Sequence, residues 1–168
     1  MVAVLAAGIA LSATIPAGAD PGAVTVVSGA GELSDLSVST ADATDGARAG
    51  AFAVSRSGTG TIVVLAVHGM DRAAVGTRYG AHVHVGPCVA GDGAAAGPHY
   101  NSTGGTTIDP STEVWLDFTV RSNGTAVAVS GVPFVIPTGG ARSIVIHAMA
   151  TMPNGTAGAR LACLPLEF

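Results

Sequence analysis

Glu113-Val114-Trp115-Leu116-Asp117-Phe118-Thr119-Val120 alternates with period two: Val114, Leu116, Phe118 and Val120 fall on one side, Glu113, Trp115, Asp117 and Thr119 on the other. Successive side chains of a strand point to opposite faces, so this stretch reads as a half-buried strand. Ser122-Asn123-Gly124 then marks a hairpin turn into a strand over residues 125–130. Working outward, residues 23–27 make a plausible first strand. Residues 61–68 are a near-continuous apolar run stopped by Gly69, which predicts a buried strand. Residues 80–85, 143–148 and 160–164 complete the set. Residues 29–49 are small and polar and read as a long turn or loose connection, and residues 86–110 as irregular chain dense in Gly, Ala, Pro and Asp. There are no repeats, no heptads and no helical stretch of useful length. Seven or eight short antiparallel strands predict an all-β sandwich or barrel.

The composition agrees. The chain of 168 residues is long enough for one domain with a proper core and too short for two ordinary ones. It has no Lys, only 11% charged residues and a formal charge of −4, and its seven Arg are scattered, so nucleic acid is excluded as an expected partner. Residues 1–19 form an apolar, small-residue segment ending in Ala17-Gly18-Ala19, which reads as a secretory signal cleaved after Ala19, although no basic residue precedes the apolar run. A membrane anchor is the competing reading, weakened by Pro16 and by the Ala/Gly/Ser/Thr content. The mature domain would then be residues 20–168, secreted or held in the periplasm or cell envelope. Its two cysteines, Cys88 and Cys163, read in an exported chain as one disulfide worth about 4 kcal/mol, and in a reducing cytoplasm as two free thiols.

Four of the five histidines carry the chemistry. His82 and His84 flank Val83, so on a strand both rings share one face and can converge on one ion. His147 follows Ile146 with the same logic. His99 sits on a loop after Gly97-Pro98, free to swing in. Three or four neutral imidazoles suit copper or zinc, with intrinsic affinity favouring copper. A His-x-His on a strand is by itself more often incidental than a ligand pair. His68, at a strand end, reads as structural. Arg160 either serves an active site or merely pairs with Glu167 or caps a carbonyl. The three Asn-x-Ser/Thr tripeptides at Asn101, Asn123 and Asn154 match the glycosylation pattern, a frequent chance match.

Taken together, His82-Val83-His84, Gly97-Pro98-His99-Tyr100-Asn101, Val145-Ile146-His147 and Gly158-Ala159-Arg160-Leu161-Ala162-Cys163 resemble the copper–zinc superoxide dismutase family over roughly residues 60–168. The resemblance implies an eight-stranded Greek-key β-barrel or sandwich, immunoglobulin-like in plan. It implies copper ligands at His82, His84, His99 and His147, and a disulfide between Cys88 and Cys163. Arg160 would be the guanidinium beside copper that attracts superoxide anion, and His99 would carry a proton when released on reduction.

The departures from that family are equally informative. Its two-metal members use the counterpart of His99 to bridge copper to zinc, with two more His and an Asp on the zinc. Here residues 100–114 contain no His, and the short loop from His147 to Cys163 contains no acidic residue. The chain therefore resembles the copper-only branch, in which a zinc site of the family type is absent. A metal-bound imidazole needs an acceptor on its other nitrogen, and Glu113 is expected to orient His99, with Asp109 as the weaker candidate. The expected function is an exported copper-dependent superoxide dismutase whose partners are superoxide as substrate and a copper donor. A secreted copper-binding domain of the same fold, with buffering or carrier duties, is the alternative. A structural or adhesive β-domain with a vestigial site is a third and weaker reading.

Overall fold

The computed structural model describes residues 22–38 and 40–168, so the expected signal segment lies outside the described residues. Ten strands run in the order β1 Val24–Glu32, β2 Ser34–Asp35, β3 Arg48–Arg56, β4 Gly60–His68, β5 Arg78–Tyr79, β6 Ala81–His84, β7 Phe118–Thr119, β8 Ala126–Val132, β9 Ser143–His147 and β10 Arg160–Pro165. The helical content among the described residues is two short 3₁₀ turns, Arg72–Ala74 and Gly93–Ala96. Every strand pairing among the described residues is antiparallel. Eight strands form two four-stranded sheets, β1-β3-β4-β8 and β2-β10-β9-β6, with β5 and β7 as a separate small ladder. The architecture is the all-β sandwich expected. The two sheets do not close into a barrel.

Period-two patterning builds the core. β4 turns Thr61, Val63, Leu65 and Val67 inward, and β3 opposes them with Ala49, Ala51, Ala53 and Ser55, small enough to keep the sheets close. From the other sheet Val83, Ile144, Ile146 and Leu164 enter the same core, joined by Val114, Leu116 and Leu166. The outward faces of β1, β3, β4 and β8 are also apolar: Val24, Val26, Phe52, Ile62, Val127 and Val129 are 45% to 65% exposed. The apolar run of residues 61–68 is thus buried on one face only, which corrects the expectation of a fully buried strand. A continuous apolar run looks the same whichever face is covered.

Other boundaries moved for identifiable reasons. Residues 29–49 are a loose connection only in part: β1 extends to Glu32, β2 follows at Ser34–Asp35, and residues 36–38 and 40–47 are turns and irregular chain before β3 begins at Arg48. Their Gly, Ala and Ser content hides the pairing because backbone hydrogen bonds, not side-chain burial, define it. Conversely, of residues 113–120 only Phe118–Thr119 form a ladder. The rest is extended chain joined by single bridges, Trp115 to His82 and Glu113 to Asn101. The turn at Asn123-Gly124 is present, with Gly124 in the left-handed region, but the strands it joins lie in different sheets.

Cys88 and Cys163 form a disulfide with Cα atoms 5.6 Å apart, tying the loop after β6 to β10 beside buried Leu36, Ala96 and Val145. Such a bond points to an oxidising compartment. Leu65→Ala at the centre of the sandwich should cost about 3 kcal/mol in chemical denaturation. Ile62→Thr, three residues earlier on the same strand and on its exposed face, should stay within about 0.5 kcal/mol.

Candidate metal centre

β6 and β9 are neighbours in register, His82 opposite Val145 and Ala81 opposite Ile146. Opposed residues share a face, and His84 and His147 lie two positions from His82 and Val145. All three imidazoles therefore stand on the side of the sheet away from the core, where the loops of residues 86–117 and 148–158 cover them. His82 and His84 are fully buried and His147 nearly so. His99 joins them through a single bridge to His84. One nitrogen from each of the four rings lies within 4.8 Å of the others. The fifth histidine, His68, is exposed at the end of β4 and takes no part.

The outer nitrogens decide what the inner ones are. His84 Nδ1 is 3.0 Å from the Gly97 carbonyl and His147 Nδ1 is 3.4 Å from the Gly158 carbonyl. A carbonyl only accepts, so both Nδ1 atoms carry the proton and both Nε2 atoms are bare. Those two bare atoms face each other at 3.4 Å. His99 Nδ1 donates to Glu113 Oε2 at 2.8 Å, so the neutral form of this ring has its bare nitrogen at Nε2 as well. His82 is turned the other way: its Nε2 meets Thr151 Oγ1 at 2.7 Å, and its Nδ1 is buried with no hydrogen-bond partner among the described residues. Converging unpartnered lone pairs in a buried space call for a cation. The residues fit a metal ion.

The backbone makes this possible at two glycines. Gly97 (φ 67°) and Gly158 (φ 77°) are both in the left-handed region, and each turns a carbonyl onto an imidazole. A Cβ on Gly97 would meet Val85 Cγ2 at 2.9 Å, so the position admits glycine alone without displacement.

Arg160 stands directly opposite His147, set there by a register shift between Arg160 and Ala162. Its guanidinium donates to the carbonyls of Gly93 (2.5 Å) and Gly97 (2.7 Å). Glu167 pairs instead with Arg142. Arg160 makes no ion pair among the described residues, and together with His99, His147, Glu113, Pro98 and Ile108 it lines a cavity of about 790 Å³. The carbonyl-capping and cavity-lining readings of Arg160 are therefore compatible. Partial burial lowers its pKa, yet arginine keeps its charge.

Of the two carboxylates considered for His99, Glu113 is buried and also accepts the Trp115 indole N–H at 2.9 Å. Asp109 instead accepts from the backbone N–H and hydroxyl of Ser111 in its own turn. Burial alone would raise the Glu113 pKa, but the hydrogen bonds from His99 and Trp115 outweigh it and hold the carboxyl below its ordinary value. Sequence reasoning missed Thr151, Asp117 and the two glycine carbonyls. Asp117 did carry a signal, since it shares the polar side of residues 113–119 with Glu113.

No family model matches the sequence, and no curated protein does. Solved structures do match in fold. A double mutant of a SOD-like protein from Bacillus subtilis superposes with a TM-score of 0.58 at 19% sequence identity, covering 85% of this chain and 97% of that one. The fold is that of a SOD-like protein. The four-histidine cluster and the disulfide fit the same family.

On this SOD-like frame the histidines resist protonation. Burial, reinforced by the neighbouring imidazoles, pushes His82 down to about 2. Burial likewise takes His84 to about 3 and His147 to about 4, in each case against a backbone carbonyl that pulls the other way. In the unfolded chain these groups titrate near 6.5. Above that pH neither state binds the protons and stability is full. Below it the unfolded chain takes them up and the folded one does not, so stability is lost as pH falls from 6.5 toward 4. Three such groups give a limiting slope of roughly 4 kcal/mol per pH unit. Thermal melts of the metal-free protein should show this acid loss, and a saturating metal should steepen it because protons then compete for the same nitrogens.

Proposed function

We propose that this chain is an exported superoxide dismutase that works with copper and without zinc. The observation that carries the reading is the convergence of four imidazoles, two of which, His99 and His147, line one cavity with Arg160, an arginine that makes no ion pair among the described residues. His82 through Nδ1, and His84, His99 and His147 through Nε2, would hold the metal. All-imidazole sites suit copper, and affinity among divalent ions peaks there. When bound, copper supplies the one-electron chemistry that oxidises one superoxide to oxygen and reduces a second to hydrogen peroxide.

The protein's own residues do the remainder. Arg160 presents a fixed positive charge to the cavity, held at both ends by carbonyls, so an anionic substrate is drawn in and oriented without reorganisation. His99 can carry a proton on Nε2 toward the reduced product, while Glu113 keeps the ring in place through Nδ1. The copper-only reading is supported at that same nitrogen. Nδ1 of His99, which would face zinc in a two-metal member, is occupied by Glu113. Export is supported by the disulfide and by the expected signal over residues 1–19.

Metal content and dismutation rate, measured on the oxidised mature protein with copper alone and with copper plus zinc, test the proposal. It expects one copper per chain and full activity without zinc. His147→Ala should abolish tight copper binding. Arg160→Ala should keep copper and lose at least about tenfold in kcat/KM, with a weaker salt dependence of the rate. Glu113→Ala should lower copper affinity by about 10- to 100-fold. Tight copper binding with no turnover would move the reading to a copper buffer or carrier, and a stoichiometric, activity-raising zinc would sink the zinc-free part.

A further inference from the structure

Thr151 and Asp117 form a chain of hydrogen bonds that ends on His82, the one imidazole of the four with reversed orientation. Thr151 Oγ1 donates to Asp117 Oδ1 in a short hydrogen bond, and Thr151 N–H donates to Asp117 Oδ2 at 2.9 Å. Asp117 is thus accepting at both oxygens from one residue, and its side chain is only 8% exposed. Arg78, largely in solvent, backs the carboxylate at 3.4 Å from Oδ2. A hydroxyl has one proton to give. Since Thr151 gives it to Asp117, the 2.7 Å contact with His82 must be made by Oγ1 as acceptor and by His82 Nε2 as the N–H donor.

We propose that the Arg78–Asp117–Thr151 chain positions His82 and locks it as the Nε2–H tautomer, which aims the bare Nδ1 lone pair at the metal. The proposal rests on the copper reading of the site. Three observations support it: the buried Nδ1 with no partner among the described residues, the bidentate grip of Asp117 on Thr151, and the reversed orientation of His82, which meets its outer partner through Nε2 where its three companions use Nδ1. His84 and His147 are locked by carbonyls, which cannot be anything but acceptors. A threonine hydroxyl could donate or accept, so here the carboxylate behind it makes the choice.

Asp117 and Thr151 are positioning residues, reached by the metal only through His82. This explains a layout that otherwise looks wasteful. Glu113, Trp115 and Asp117 occupy alternate positions of one extended segment. The first holds His99, the second donates to the first and lies edge-on to His82 at 6.0 Å between centroids, and the third holds His82 through Thr151. One face of one segment sets two of the four rings.

The test reads the tautomer directly, by nitrogen NMR of the metal-free protein at neutral pH, and copper affinity separately, by competition with a chelator. Wild type and Thr151→Ser should show His82 as Nε2–H. Thr151→Val, which keeps the shape and removes the acceptor, should release the ring to a mixture or to Nδ1–H and weaken copper binding by about 10- to 100-fold. Asp117→Asn gives an independent variant should the valine protein fail to fold. An amide offers one oxygen where two are needed; with the backbone N–H of Thr151 retaining it, the amide NH₂ faces Oγ1. The hydroxyl must then donate to His82 Nε2, which shifts the ring toward Nδ1–H with a matching fall in copper affinity. Finding Nδ1–H in the wild type would overturn the proposal, as would variants that leave either the tautomer or the affinity unchanged. A wild type with the Nε2–H tautomer that binds no copper would instead remove the copper reading, so the two failures are distinguishable.

Discussion

The constraint on which the rest depends is that four imidazoles meet in a buried space with their lone pairs inward. Neutral histidine has one donor and one acceptor nitrogen, so each ring that points a bare nitrogen at the centre must place its N–H on an acceptor outside it. Four acceptors are therefore needed in a shell around the cluster, and each is present: the carbonyls of Gly97 and Gly158, the Glu113 carboxylate and the Thr151 hydroxyl. Without them the rings could turn over and the facing nitrogens would bond to each other. With them the cluster is a set of unsatisfied lone pairs that only a cation relieves. Much of the loop structure can be understood as delivery of those acceptors.

That delivery draws on parts of the fold that are distant in sequence. Gly97 lies on the loop held down by the Cys88–Cys163 disulfide, and the same loop supplies the Gly93 and Gly97 carbonyls that hold Arg160. The Gly97 oxygen is shared by His84 and Arg160, so one carbonyl couples the imidazole set to the cavity's positive charge. Gly158 and Thr151 belong to the loop between β9 and β10, which packs Gly155 against Ile108 on the loop of residues 102–112. A side chain at Gly155 would collide with Ile108, and Glu113 lies just beneath that contact. The Glu113–His99 pair is thereby roofed by an apolar contact, which shields it from water and strengthens its hydrogen bond.

The sandwich was legible because alternation and turn residues are local. β4, β6, β8, β9 and β10 lie close to where period two placed them. β3 was not singled out, since Ala and Gly bury little and leave only weak periodicity. The four histidines were legible as a group through the same alternation: residues two apart share a face, and His82-Val83-His84 states that plainly. What could not be read was which nitrogen of each ring points inward. That depends on carbonyls of Gly97 and Gly158, on φ values, and on a threonine 69 residues from His82. The polar side of residues 113–119 was legible as a face but not as a covered one. Whether Glu113 and Asp117 meet solvent or rings is decided by loops whose Gly- and Ala-rich sequences carry no periodic signal.

A site of this kind works against the fold that builds it. Three imidazoles held neutral well below their ordinary range, and two bare nitrogens at 3.4 Å, are costs that the metal-free protein bears. The sandwich can bear them because its core lies on the other side of the β6–β9 pair, where Val83, Ile144 and Ile146 pack independently of the rings. Relief of the strain by opening would therefore begin in the covering loops and leave the sheets intact, so the metal's contribution should be felt there first. The disulfide limits that opening covalently on the side of Gly97 and Arg160, while the Gly158 side is held by hydrogen bonds and by the apolar contact of Gly155 with Ile108.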